Sequence, residues 1–157
     1  MKTIKQEVHF DVGPQEVYEA YVDAKKHAEF TGSKVVFETP LRPAERGFEG
    51  FTQKVHPEGQ AKVGGKFSAW DGELSGENLE LIDGKKIVQK WRADDWPEGH
   101  YSTLTIKLFT EKSTKNANKS GTKLVLTQTD VPDDKYEDIN SGWHEYYWEP
   151  MREYFKK

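Results

Sequence analysis

Two side-chain amides stand where hydrocarbon is expected. Gln89 shares a strand face with Ile87 and Trp91, and Gln128 shares one with Leu124 and Leu126. A buried amide needs hydrogen-bond partners, because leaving one unpaired costs about 1–3 kcal/mol. Three sources could supply them: water at an open cavity mouth, a bound ligand, or side chains such as Tyr147. A few polar handles on an apolar wall are the usual composition of a small-molecule site. Gln89 and Gln128 are therefore the candidate ligand-orienting groups.

Other chemistry is poorly provided for. The five histidines are His9, His27, His56, His100 and His144. None falls in a metal-ligand spacing, and without cysteine there is no thiolate to complete one. They read as surface residues, and no metal site is expected. No G-x-S-x-G elbow occurs, and Ser141 lies early in a helical segment, a poor place for a nucleophile. Gly64-Gly65 lacks the Lys-Ser/Thr of a phosphate loop and reads as a bend before a strand. The carboxylates from Asp130 to Asp138 suit the positive end of a helix dipole. No catalytic residue and no cofactor is assigned, and a cyclase or hydrolase is the weakest reading.

Two tryptophans are candidates for a partner surface. Trp96 sits among acids in Asp94-Asp95-Trp96-Pro97-Glu98. It could meet a basic partner or fold back onto the sheet. Trp148 and Tyr146 cannot share an α-helical face with Trp143 and Tyr147, so an outward Trp148 is the second candidate.

The elements that must position these groups follow from periodicity. Residues 3–10 alternate as a strand with Ile4, Gln6, Val8 and Phe10 on one face. Pro14 opens a first short helix, and Asp23 caps a second that ends at Gly32. Val35, Val36 and Phe37 suggest a short strand. From Gly64 the period is two, with strands over 66–70, 73–82, 86–93, 101–112 and 122–130. Asp71-Gly72 and Asp83-Gly84 mark hairpins, and consecutive hairpins make a meander. Symmetric loops place Gln89 opposite Leu104, Leu104 opposite Gln128, Ile106 opposite Leu126 and Trp91 opposite Ser102. Residues 134–154 read as one helix about 30 Å long, with Asp134 and Glu137 as a capping box. Its inward stripe is Ile139, Trp143, Tyr147, Met151 and Tyr154. Pro150 should kink it.

The expectation is an α+β fold: a curved antiparallel sheet of about six or seven strands around a long C-terminal helix, with two short helices after strand one. A sheet with one helix buries the face toward it. Parity then assigns a cavity lining of Phe67, Ala69, Gln89, Trp91, Leu104, Leu126 and Gln128, with Trp143, Tyr147 and Met151 from the helix.

The totals bound the reading. A chain of 157 residues fits one domain. Apolar residues are 34% and aromatics 13%, so large rings must supply much of the core. A net charge of −4 speaks against a nucleic-acid partner. The first ten residues alternate and lack a signal core, and no run reaches the roughly 20 apolar residues of a membrane span. A cytoplasmic location is expected.

Several motifs together resemble a known family. They are Val63-Gly64-Gly65-Lys66-Phe67-Ser68-Ala69-Trp70-Asp71-Gly72, Lys86-Ile87-Val88-Gln89-Lys90-Trp91-Arg92, Asp95-Trp96-Pro97-Glu98-Gly99, Gly121-Thr122-Lys123-Leu124 with Val131-Pro132, and Gly142-Trp143 with Tyr146-Tyr147-Trp148 and Pro150. The set is similar to the homologues of the activator of heat-shock protein 90 ATPase, in its C-terminal domain. That family belongs to the START-like, pollen-allergen-like helix-grip superfamily. The resemblance implies a single START-like domain over 1–157 with a cavity between helix and sheet, where superfamily members often hold apolar molecules. The stretch 39–61 departs from the family pattern by being longer than its usual connection, and reads as an inserted loop that either covers the cavity mouth or is a mobile surface loop. Two partners follow: a small apolar ligand in the cavity, or a chaperone of the heat-shock protein 90 type.

Overall fold

Alternating strands need a face to bury, and this chain buries one face of a single sheet. A computed structural model describes residues 1–32, 35–37, 63–70, 73–112 and 120–156. The expected loop at 39–61, the Asp71-Gly72 turn and the loop at 113–119 lie outside the described residues. The strands are β1 (Lys2–Phe10), β2 (Val35–Phe37), β3 (Lys66–Ala69), β4 (Leu74–Ile82), β5 (Lys86–Ala93), β6 (Ser102–Lys112) and β7 (Ser120–Val131). They form one seven-stranded antiparallel sheet in the order β1-β7-β6-β5-β4-β3-β2. Strands two to seven are a meander, and β1 returns to pair with β7.

Register follows the loop estimate. Gln89 faces Leu104 and Trp91 faces Ser102, while Leu104 faces Gln128 and Ile106 faces Leu126. The flanking strands extend the row: Ile4 faces Gln128 and Asn78 faces Gln89. Ile4, Gln128, Leu104, Gln89 and Asn78 thus run side by side across five strands, all buried.

Between β1 and β2 stand α1 (Pro14–Val22) and α2 (Ala24–Thr31). Pro14 takes the first helical position of α1. The Asp23 carboxylate accepts from the Lys26 N–H at 3.1 Å to start α2, and Gly32 ends it at φ 76°. That left-handed φ is open to glycine at no steric cost.

The C-terminal rod departs from the expectation of one α-helix. It runs as a 3₁₀ turn (Asp133–Lys135), α3 (Tyr136–Trp143), a π turn (His144–Trp148) and α4 (Glu149–Phe155). The Asp134–Glu137 capping box does not form, because the 3₁₀ turn occupies that position and its Lys135 N–H donates to the Pro132 carbonyl. The disturbance expected at Pro150 takes the form of the π turn just ahead of it, where the Glu149 N–H donates to the His144 carbonyl five residues back.

That wider turn changes which residues face the sheet. Positions five apart now align, and the Trp143 and Trp148 rings stack at 5.4 Å with an interplanar angle of 15°. Trp148 is 0% exposed, so it is core and not a partner surface. Tyr146 remains outside. Trp96 is not a partner surface either: of its two alternatives the fold-back holds, and its buried ring packs 5.5 Å from Trp91 and 5.8 Å from His100. Among the described residues no helix is long and apolar enough to cross a membrane.

One position in the sheet tolerates no side chain. Gly76 lies between Phe67 and Trp91 in neighbouring strands. A Cβ there would collide with the Lys90 carbonyl and press to 2.8 Å on Phe67 Cε1. Gly76→Ala should cost about 1–3 kcal/mol in urea unfolding. An unchanged midpoint would show that β4 and β5 can part freely here.

Candidate functional site

The inner face carries four amides: the protein pairs the three glutamines itself, while Asn78 accepts through Oδ1 and its buried Nδ2 has no partner among the described residues. Trp143 Nε1–H donates to Gln128 Oε1 at 2.9 Å, and Gln128 Nε2 donates to Ser102 Oγ at 2.9 Å. Tyr21 OH donates to Gln89 Oε1 at 3.0 Å, and Gln89 Nε2 donates to Asn78 Oδ1 at 2.8 Å. Trp148 Nε1–H donates to Gln6 Oε1 at 2.8 Å, and Gln6 Nε2 donates to the Asn140 carbonyl at 2.8 Å. An indole N–H can only donate, so it fixes which end of the amide faces it. Each of β1, β5 and β7 therefore presents one glutamine to one aromatic donor from the helices. Neither water nor a ligand is needed to satisfy Gln89 or Gln128.

A second polar chain crosses from α2 to the rod. His27, expected at the surface, is 3% exposed. Its Nδ1 lies 2.9 Å from the Tyr21 carbonyl, which only accepts, so Nδ1 holds the proton. Its Nε2 then accepts from Tyr147 OH at 3.2 Å, and Tyr147 OH accepts from Trp70 Nε1–H at 3.3 Å. Burial pushes the imidazole down to about 4, against a smaller upward pull from the bond to Tyr21. Burial pushes the Tyr147 phenol up to about 12 and Tyr21 well above its ordinary value. The histidine stays neutral and the phenols stay protonated across neutral pH. A general acid–base pair works best near the operating pH, and this trio lies far from it.

Packing decides where space is left. Between α1, the centre of the sheet and the rod, a gap of only about 10 Å³ remains, lined in part by Tyr21, Leu124, Trp148 and Met151. That holds one water at most. The real space is a cleft of about 460 Å³ at one end, between α3, the π turn and the ends of β3, β4 and β5. Its rings are Trp70, Trp91, Trp143, Tyr146 and Tyr147, and its polar rim is Glu73, Asp94, Asp95 and Asp138.

Of the expected lining, Trp91, Trp143 and Tyr147 meet in this cleft. Phe67, Ala69, Gln89, Leu104, Leu126 and Gln128 line neither space and are packed as core, and Met151 borders only the small gap. The reason is volume: the rings expected to surround a cavity fill it. The sequence reading missed Trp70, Glu73, Asp138 and His27. Asp94 and Asp95 carried a signal as acids beside a tryptophan. Gln6 carried one as an amide among Ile4, Val8 and Phe10. His27 carried none.

Residues 11–156 match the family described as Activator of Hsp90 ATPase homolog 1-like protein. The chain belongs to that family. The relative from Dictyostelium discoideum, an activator of 90 kDa heat shock protein ATPase homolog, is 31% identical over 142 residues, covering 90% of this chain and 30% of its own length. The human homolog 1 is 38% identical over 97 residues, covering 61% of this chain and 26% of its own. The chain thus spans about a third or less of these curated relatives. The crystal structure of an HSP90 activator from Plasmodium falciparum superposes with a TM-score of 0.70 at 28% identity, covering 96% of this chain and 94% of that one. The solution structure of the Aha1 dimer from Colwellia psychrerythraea superposes with a TM-score of 0.62 at 15% identity, over 93% of this chain and 90% of that one, and speaks for the fold alone. This family member has the START-like helix-grip arrangement.

Two outcomes follow from the buried network. Gln128→Leu strands the Trp143 indole N–H and should cost about 1–3 kcal/mol in urea unfolding. Gln128→Glu should cost more, since it buries a charge. Separately, His27 has a folded pKa of about 4 against 6.5 unfolded, so the unfolded chain binds more protons between those values. Stability is full above pH 6.5 and falls as pH drops toward 4, by about 3 kcal/mol from this residue. His27→Gln should flatten that window in urea midpoints measured across pH. An equal slope in both proteins would exclude His27 as its source.

Proposed function

We propose that this chain is a non-catalytic interaction domain that engages a chaperone of the heat-shock protein 90 type and raises its ATPase rate. The observation that carries the reading is the Plasmodium falciparum structure. That chain is named an HSP90 activator, and this chain covers 94% of it. The filled interior agrees, because a grip whose space is taken by its own rings must act through its outside. The reading places the chain with that chaperone, in the cytoplasm. The test is the steady-state ATPase rate of a purified chaperone from the same source, with and without the chain. A several-fold, saturable rise with a complex in sedimentation supports it. No rise and no complex reject it.

A second reading, a small apolar ligand, draws on one observation: the end cleft of about 460 Å³ is the size of a ligand site. Trp91, Trp143 and Tyr147 would be its contacts. Mass spectrometry of small molecules released from the natively purified protein should then find an apolar compound in stoichiometric amount. Trp91→Ala should lower its yield.

A further inference from the structure

The end cleft combines two features that apolar pockets lack. Its rings touch in an unbroken chain: Tyr146 and Trp70 at 5.5 Å, Trp70 and Tyr147 at 6.5 Å, Tyr147 and Trp143 at 4.9 Å, Trp143 and Trp91 at 5.7 Å. Tyr146 is exposed and Trp70 half-buried, and these two offer the open aromatic surface, while Tyr147, Trp143 and Trp91 are buried and form the floor. Among the described residues its charged lining is of one sign, with Glu73, Asp94, Asp95 and Asp138 and no Lys, Arg or His. Lys135, outside the lining, pairs with Asp95 at 2.9 Å. Lys135 is also drawn electrostatically to Asp138, while among the described residues Glu73 and Asp94 have no ion-pair partner.

The acids come from three places that the fold must join. Glu73 precedes β4, Asp94 and Asp95 follow β5, and Asp138 lies on α3. The Asp94 N–H donates to the Glu73 carbonyl at 2.7 Å and ties the first two together. Trp70, which forms the wall, holds φ 55°. That left-handed region is sparsely populated by bulky side chains, and such strain persists only where surroundings enforce it. The Trp70 carbonyl accepts from the Glu73 N–H at 3.1 Å across the β3–β4 turn, and its ring bonds Tyr147 OH and packs edge-on against Tyr146.

We propose that this cleft binds an organic cation, an ammonium group carried on an apolar body. Aromatic faces attract such a charge while accepting its hydrocarbon, and carboxylates at the rim neutralise it. A neutral apolar guest would strip water from the acids and give nothing back, and an anion would be repelled. A bare metal ion fits poorly, since the walls are rings and no metal-holding cluster occurs among the described residues. The cation could be a free small molecule or a lysine side chain of a protein partner. The inference does not depend on the chaperone reading, because binding here is read without any ATPase.

The experiment titrates the full chain with choline and with its neutral isostere 3,3-dimethylbutan-1-ol, following the indole N–H resonances of the five tryptophans by ¹H–¹⁵N NMR. Saturable shifts at Trp70, Trp91 and Trp143 with choline, and binding about tenfold weaker for the isostere, support the proposal. The Asp94→Asn, Asp138→Asn double variant should lose about tenfold in choline affinity. The resonances of the buried Trp96 and Trp148 report that it stays folded. A capped Ala-Lys-Ala peptide against Ala-Met-Ala distinguishes the sources. A tighter lysine peptide assigns a partner side chain, and tighter choline assigns a free molecule. Equal binding of choline and isostere, undiminished binding by the double variant, or no saturable choline shift at high millimolar concentration overturns it.

Discussion

A buried amide has to be paired, and in this protein that requirement ties the helices to the sheet. Apolar side chains can slide over one another at little cost, whereas an indole N–H that leaves its carbonyl oxygen in a dry interior loses a full hydrogen bond. Gln6, Gln89 and Gln128 stand on three different strands and receive Trp148, Tyr21 and Trp143. Two of those donors lie on the C-terminal rod and one on α1. The contacts fix the rotation and height of the rod relative to the sheet, which ring packing alone leaves looser.

The π turn is the local consequence. An α-helix through 143–148 would turn Trp148 away from Trp143, leaving Gln6 without its donor and the centre of the grip with a void. Widening one turn brings both indoles to the same side and stacks them. Among the described residues the gap left between the rod, α1 and the centre of the sheet is about 10 Å³. Space that a helix-grip fold can devote to a guest is here occupied by tryptophan and tyrosine, and what remains open is the end of the grip. There the rod begins, the strands finish, and charge and aromatic surface are exposed together. Packing in the middle thus sends function to the mouth and the outside.

Much of the sheet was legible in the sequence, because its side-chain period is two and hairpin loops constrain pairing. The opposition of Gln89, Leu104 and Gln128 came from loop symmetry alone, and α2 was delimited by Asp23 and Gly32, which act through local geometry. The candidate site was less legible. Trp148 was assigned outward by a helical period that the chain abandons for five residues. Trp96 stood between two readings because its neighbours are acids, and the loop folds so that the ring is covered and the acids are not. His27 gave no warning, since its burial depends on Tyr21 and Tyr147, 6 and 120 residues away.

By itself the sequence determined the alternation, the turns and the helix ends, and hence that one face of a meander meets a C-terminal helix; these are properties of neighbours along the chain. Tertiary structure alone decided that the glutamines are satisfied from within, that the rod carries a π turn, and that the open space is an acidic end cleft. Those outcomes depend on how volumes fill and how donors meet acceptors across distant segments, and no local pattern encodes either.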